Sequence, residues 1–267
     1  MSKSGTVKIG NTDMNYVAFG NGKRALVVLP GLSDGLASVK GKGWILAVPY
    51  KPYFKDYSVY MFSRKNDMPE GYSIREMADD QVEAMRSLGI ERASVLGVSQ
   101  GGMIAQYIAI RYPEVVENLI LAVTAPNANE VVTDAVKGWI GMAERKDHVE
   151  LMDDTARKMY SEGFYKQYQK YFPIVARLTK QSNYERFFRN AYAILDFDAR
   201  DELAKISCPT LIIAGSDDKT VGNEAKDQLH EGILGSELYV YEGLGHGAFE
   251  EAKDFYQRVA EFCDRRK

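Results

Sequence analysis

The sequence predicts an α/β fold, a mostly parallel sheet flanked by helices with a helical segment inserted near its middle. Three observations predict it. Short β-branched runs alternate with longer helical patterns, as strands joined by crossover helices do. Several runs, such as Leu119 to Val123 and Thr210 to Ala214, are continuously apolar, which suits strands covered on both faces. The alternation then stops between about Asn127 and Asp198 and resumes at Cys208-Pro209-Thr210.

Taken in order, Met14 to Phe19 and Ala25 to Leu29 read as two strands joined by a turn at Gly20-Asn21-Gly22, residues that tolerate positive φ. Ser58 to Phe62 follows as a strand, and Ser73-Ile-Arg-Glu76 opens a helix with capping-box spacing. Ala93 to Leu96 is a strand, and Gln100 to Arg111 is a helix that stops before Pro113. After Leu119 to Val123 come three or four helices, interrupted near Lys146, Gly163, Pro173 and Ser182, with 12 aromatic residues between 126 and 198. Thr210 to Ala214 and Glu237 to Tyr241 complete the strands, and a helix from about Phe249 to Arg265 ends the pattern. The division expected is a core domain of residues 1–125 and 199–267, with residues 126–198 inserted.

Composition narrows the function. The chain has 267 residues, 45% apolar and 27% charged, the mix of a globular protein, which excludes global disorder. Net charge is -3 and the longest basic cluster is Arg265-Arg266-Lys267, which argues against nucleic-acid or anionic-membrane partners. The two cysteines, Cys208 and Cys263, stand 55 positions apart, neither a disulfide framework nor a zinc pattern. They fit a cytoplasmic protein. The start lacks an apolar leader region, and no run approaches the ~20 apolar residues of a membrane span.

The most informative segment runs from a strand through Gly97-Val-Ser99-Gln-Gly101 into a helix. A serine on so sharp a turn projects its hydroxyl from the sheet edge, and the helix beginning at Gln100 offers free amides and its positive dipole end beside it. As a bare pattern Gly-x-Ser-x-Gly is weak, and a Gly-rich turn with a capping serine explains it as well. The strand before and the helix after favour a nucleophile. Such a serine needs a base, and only three histidines are present. His148 lies in the charged stretch ERKDHVE and reads as a solvated position, and His230 reads as a helix-terminal residue. His246, in Gly243-Leu-Gly-His-Gly247 between the last strand and the last helix, can swing toward a serine on a neighbouring strand end. Asp217 and Asp218 follow the strand Thr210 to Ala214 and complete the order Ser…Asp…His; the residues alone leave both open as the acid that orients the ring. Pro30-Gly31-Leu32 ends an early strand, and its Leu32 amide, paired with that of Gln100, would hold an oxyanion, each donor worth ~3–4 kcal/mol of barrier.

In these residues the chain resembles the α/β-hydrolase superfamily over nearly its whole length. Gly97-Val-Ser99-Gln-Gly101-Gly102 is similar to its nucleophile elbow, Gly215-x-x-Asp218 to its acid loop, Gly245-His246 to its histidine loop, and the 126–198 insertion to its helical cap. The Gly-x-x-Asp register favours Asp218 over Asp217. The phrases GVSQGGMIAQ and Ala193-Ile-Leu-Asp-Phe-Asp resemble the capped, cofactor-free carboxylesterase, enol-lactonase and C–C hydrolase branch, which implies no cofactor and no metal. Two stretches depart from the family pattern. Pro30-Gly31 stands where His-Gly is usual, and Ser63-Arg-Lys-Asn-Asp-Met-Pro replaces the usual Gly-x-Gly stretch.

Gly35 to Gly43 lacks the spacing and the Ser/Thr of a phosphate loop. The Phe164, Tyr165, Tyr168, Tyr171, Phe172 stripe reads as cap core rather than a cofactor box. The function expected is a serine hydrolase acting on a small, apolar ester or lactone. C–C bond hydrolysis or peracid formation on the same triad is an alternative, as is a receptor that binds a small molecule in a hydrolase-like pocket. Oligomeric state is not readable from the residues.

Overall fold

The computed structural model describes residues 2–265; of the basic cluster at the C-terminus, the last two residues lie outside them. Strands β1 (Lys3–Ile9), β2 (Thr12–Gly20), β3 (Arg24–Leu29), β4 (Tyr57–Lys65), β5 (Ala93–Val98), β6 (Val116–Ala122), β7 (Thr210–Gly215) and β8 (Glu237–Tyr241) form one sheet in the order β1-β2-β4-β3-β5-β6-β7-β8. β2 runs antiparallel to both its neighbours, and β3 to β8 pair in parallel.

Two differences from the sequence reading concern the first strands. β1 is an edge strand whose alternating exposure leaves too few buried residues to stand out from its polar ones. β2 and β3 do not pair across the Gly20–Gly22 turn, because β4 lies between them. The turn is instead pressed against the backbone entering β4: a Cβ on Gly22 would lie 1.9 Å from the Asp56 carbonyl carbon. β3, β5, β6 and β7 are almost wholly buried, which explains their unbroken apolar runs.

The helices are α1 (Gly43–Leu46), α2 (Ile74–Ser87), α3 (Gln100–Arg111), α4 (Glu130–Glu144), α5 (His148–Met159), α6 (Glu162–Tyr168), α7 (Phe172–Thr179), α8 (Glu185–Leu195), α9 (Ala225–Gly232), α10 (Ala248–Glu251) and α11 (Phe255–Asp264). Ser73 and Glu76 form the reciprocal cap at the start of α2. The expected last helix is broken into α10 and α11 at Ala252–Asp254. One apolar layer packs α2, α3 and α9 on the sheet, and the other packs α11 and the Tyr50–Tyr57 region on the opposite face. Between β6 and β7 the described chain contains five helices, α4 to α8, and one isolated bridge, Asn127 to Asp198, that draws the ends of the excursion together. Among the described residues no helix is long and apolar enough to cross a membrane.

Candidate active site

β3 continues into β4 on one side, and the chain then crosses to place β5 on the other. A parallel sheet opens a crevice at the C-terminal ends of strands where its order reverses in this way. Ser99 lies there, between β5 and α3, at φ 55° and ψ -121°. A side chain at positive φ is strained by ~1–3 kcal/mol unless its surroundings impose it. Here they do: the Ser99 amide donates to the Ala122 carbonyl at 2.9 Å, and Thr124 Oγ1 donates to the Ser99 carbonyl at 2.7 Å. Gly101 lets the turn pass β3, since a Cβ there would sit 1.9 Å from the Leu29 carbonyl oxygen.

His246 Nε2 stands 2.9 Å from Ser99 Oγ, and its Nδ1 stands 2.8 Å from Asp218 Oδ2. A carboxylate can only accept, so Nδ1 carries the proton and Nε2 is left to accept from the serine hydroxyl. Both side chains are buried, His246 at 4% and Asp218 at 5% exposure. Asp218 Oδ1 accepts from the amides of Thr220 (2.9 Å) and Val221 (3.0 Å), so the carboxylate is held at both oxygens. Asp217 is exposed and sends only its backbone amide inward, to the Leu244 carbonyl. The structure therefore brings together Ser99, His246 and Asp218 and leaves Asp217 outside.

The Pro30–Leu32 turn reaches the same place. A Cβ on Gly31 would lie 3.2 Å from Ser99 Cβ and 3.7 Å from its Oγ. Leu32 opens a 3₁₀ turn, Leu32–Gly35, and Gln100 opens α3. The first amides of such turns have no partner one turn earlier in the chain. The Leu32 and Gln100 amides thus belong to the two segments flanking Ser99.

Other residues depart from the sequence reading. His148 is not solvated: it is 2% exposed, its Nε2 is 3.3 Å from Thr179 Oγ1, and burial lowers its pKa. His230 does end a helix and meets Ser236 Oγ at 2.9 Å. The aromatic stripe is not a buried core. Phe164 and Tyr168 lie on α6, a helix with no buried residue; Phe164 stacks on Tyr160 at the end of α5 and meets Tyr168 at a tilt, each pair with centroids 4.5 Å apart. Beside it the Met159 carbonyl accepts from the Gly247 amide at 2.6 Å, so the α5–α6 junction rests on the His246 loop.

Sequence reasoning missed a buried polar group behind the Pro30–Leu32 turn. Arg64 is fully buried at the end of β4, beside Asp34, Pro30 and Gln100, with Arg186 of α8 reaching in. The signal available was an arginine two residues after the apolar run VYMF, with Ser63 between them.

A family model described as alpha/beta hydrolase family matches residues 26–260. The 3-oxoadipate enol-lactonase 2 of Acinetobacter baylyi is 25% identical over 261 residues, spanning 95% of this chain and 94% of that one. Among solved structures, an alpha/beta hydrolase enzyme from a Medee basin deep-sea metagenome library superposes with a TM-score of 0.86 at 20% identity, covering 97% of this chain and 96% of the other. A meta-cleavage product hydrolase from Pseudomonas fluorescens gives 0.81 at 23% identity, covering 98% of both. At these identities the structural likeness speaks to the fold.

Proposed function

Because the chain belongs to the alpha/beta hydrolase family, we propose that it is a serine hydrolase cleaving a small, apolar ester or lactone through an acyl-enzyme on Ser99. The observation that carries this reading is the unbroken line from Ser99 Oγ through His246 to Asp218, at 2.9 and 2.8 Å. Ser99 Oγ attacks the carbonyl carbon while its proton passes to His246 Nε2, and the amides of Leu32 and Gln100 hold the oxygen that becomes negative. Collapse of the tetrahedral intermediate breaks the bond to the alcohol or enol oxygen, which takes the proton from Nε2. A water molecule deprotonated by His246 then attacks the acyl group and releases the acid, restoring Ser99. Asp218 keeps the proton on Nδ1 and stabilises the imidazolium. No cofactor enters this scheme.

The relative named as an enol-lactonase, alike over almost the whole chain, supports the ester or lactone class. Residues 126–198 serve in this reading as a cap over the strand ends. Its contact with the His246 loop and its surface aromatic stack favour an apolar acyl group or ring.

A fluorophosphonate probe tests the reading by labelling an activated serine. Wild type is expected to label at Ser99 and to hydrolyse p-nitrophenyl butyrate. Ser99→Ala and His246→Ala should do neither at a measurable rate. Folded wild type that stays unlabelled refutes the hydrolase assignment and favours a receptor that binds a small molecule without turning it over. Labelling without turnover of any ester or lactone moves the substrate to a C–C bond beside a ketone.

A further inference from the structure

The stretch Ser63-Arg-Lys-Asn-Asp-Met-Pro, which departs from the family pattern, places a guanidinium where two catalytic segments meet. Arg64 has no exposed surface. One of its nitrogens, Nη2, donates to the Pro30 carbonyl at 2.6 Å and to Gln100 Oε1 at 3.0 Å. Pro30 lies two residues before Leu32, and Gln100 is the residue after Ser99. A single nitrogen therefore ties the turn carrying one oxyanion amide to the residue carrying the other.

The rest of the group is fastened to the same turn. The Arg64 amide donates to Asp34 Oδ2 at 2.9 Å, and Asp34 lies in the 3₁₀ turn that Leu32 opens. Arg186 of α8 donates to the Asp34 carboxylate and carbonyl and, at 2.9 Å, to the Arg64 carbonyl. Gln100 Nε2 donates to the Asn190 carbonyl of α8 at 2.8 Å, so the Gln100 side chain is held at both ends. Arg64 Nε and Nη1 are buried without a partner. Burial pulls its pKa down to about 10, so it remains cationic across the working range of a hydrolase. Leaving two donors of a buried guanidinium unpaired is costly, and no gain in packing from a charge explains its choice over an apolar residue. The gain lies in what Nη2 holds.

We propose that Arg64 is the positioning residue of the oxyanion hole: its Nη2 sets the spacing between the Leu32 and Gln100 amides, and its buried charge favours negative charge developing between them. The inference rests on the acyl-transfer reading of Ser99 and adds a residue which that reading does not require. Hydrogen bonds to an oxyanion act mainly in the transition state. Their misplacement should therefore lower kcat and leave KM nearly alone, and an error of about 1 Å can cost ~100-fold.

Three single variants and one double variant test this with p-nitrophenyl butyrate and the fluorophosphonate probe. Arg64→Met should lower kcat by about 30–100-fold with KM within about threefold, and should slow labelling of Ser99 in parallel. Arg64→Lys, which retains the charge and a donor, should recover about a third or more of the loss on a logarithmic scale. Gln100→Met keeps the backbone amide and removes the acceptor of Nη2. Its loss should be smaller, and the double variant should fall no lower than Arg64→Met alone, because both act through one bridge. Circular dichroism and Tm confirm folding; should Arg64→Met not fold, Arg64→Lys and Gln100→Met carry the comparison.

Active wild type with kcat unchanged in folded Arg64→Met, or in both remaining variants, overturns the assignment of Arg64 and leaves the triad reading intact. A loss residing in KM, or fully additive losses in the double variant, overturns it equally. Wild type that neither labels nor turns over overturns both readings together.

Discussion

Asp218→Asn changes one atom type in a carboxylate whose two oxygens have different duties. Oδ1 accepts from two backbone amides, those of Thr220 and Val221, and Oδ2 accepts from His246 Nδ1. An asparagine must keep its carbonyl oxygen on the two amides, since turning the amide over would set NH₂ against two donors. Its NH₂ group then faces Nδ1, which can meet it only as an acceptor. The ring proton moves to Nε2, which points at Ser99 Oγ and can no longer accept the serine proton. The nucleophile loses its base while every heavy atom stays in place. Loss of the correct tautomer at such a site costs ~10⁴ in kcat, equivalent to about 5.5 kcal/mol of barrier. Steady-state hydrolysis of p-nitrophenyl butyrate measures it. The expected result is kcat down by ~10⁴, with KM within about threefold because both carboxylate oxygens are already engaged by protein groups. Asp217→Asn, altering an exposed side chain, should stay within about twofold of wild type. A folded Asp218→Asn protein retaining a tenth or more of wild-type kcat, with Asp217→Asn inactive, would refute the reasoning and exchange the two roles.

Two predictions concern stability. Ser99→Gly should be more stable than Ser99→Ala by about 1 kcal/mol, because glycine adopts φ 55° without strain. This corresponds to about 2–4 °C in Tm, measurable by calorimetry, and equal values would show that the elbow stores no strain. His148 is buried with its pKa lowered by desolvation, Lys180 adding to the effect. The unfolded chain therefore binds the proton first as pH falls from about 6.5, so the His148 contribution is present above that pH and lost as pH drops through the folded value. His148→Gln should show a smaller fall in Tm than wild type between pH 7.5 and pH 5; parallel curves would rule out this role.

The residues of the candidate site were legible because each lies in a short segment whose backbone is locally constrained. Gly97-Val-Ser99-Gln-Gly101 could be read from steric demand at a strand-to-helix turn, and His246 from the scarcity of histidine and the glycines around it. The continuous apolar runs identified the parallel strands for a similar reason, since burial on both faces leaves no alternation. Local pattern failed where distant pairing decides. Gly20-Asn21-Gly22 has the residues of a hairpin turn, yet nothing in it records that β4 will take the place beside β2. His148 sits among charges in sequence, and it is tertiary packing, with Thr179 of α7 and the Tyr184 ring beside it, that covers it.

By itself the sequence determined which residue types were at hand for the chemistry, roughly where seven of the eight strands lie, and that a helical stretch interrupts the sheet. The residues alone left both Asp217 and Asp218 open, with the family resemblance favouring Asp218, and they left Arg64 as one charge in a stretch that departs from the family pattern. The tertiary structure decided both. Burial and two backbone amides turn Asp218 toward His246, and the meeting of β3, β4 and α3 brings Arg64 to Pro30 and Gln100. A hydrogen-bond partner far along the chain is chosen by how the strands are ordered, and that order is a property of the whole sheet.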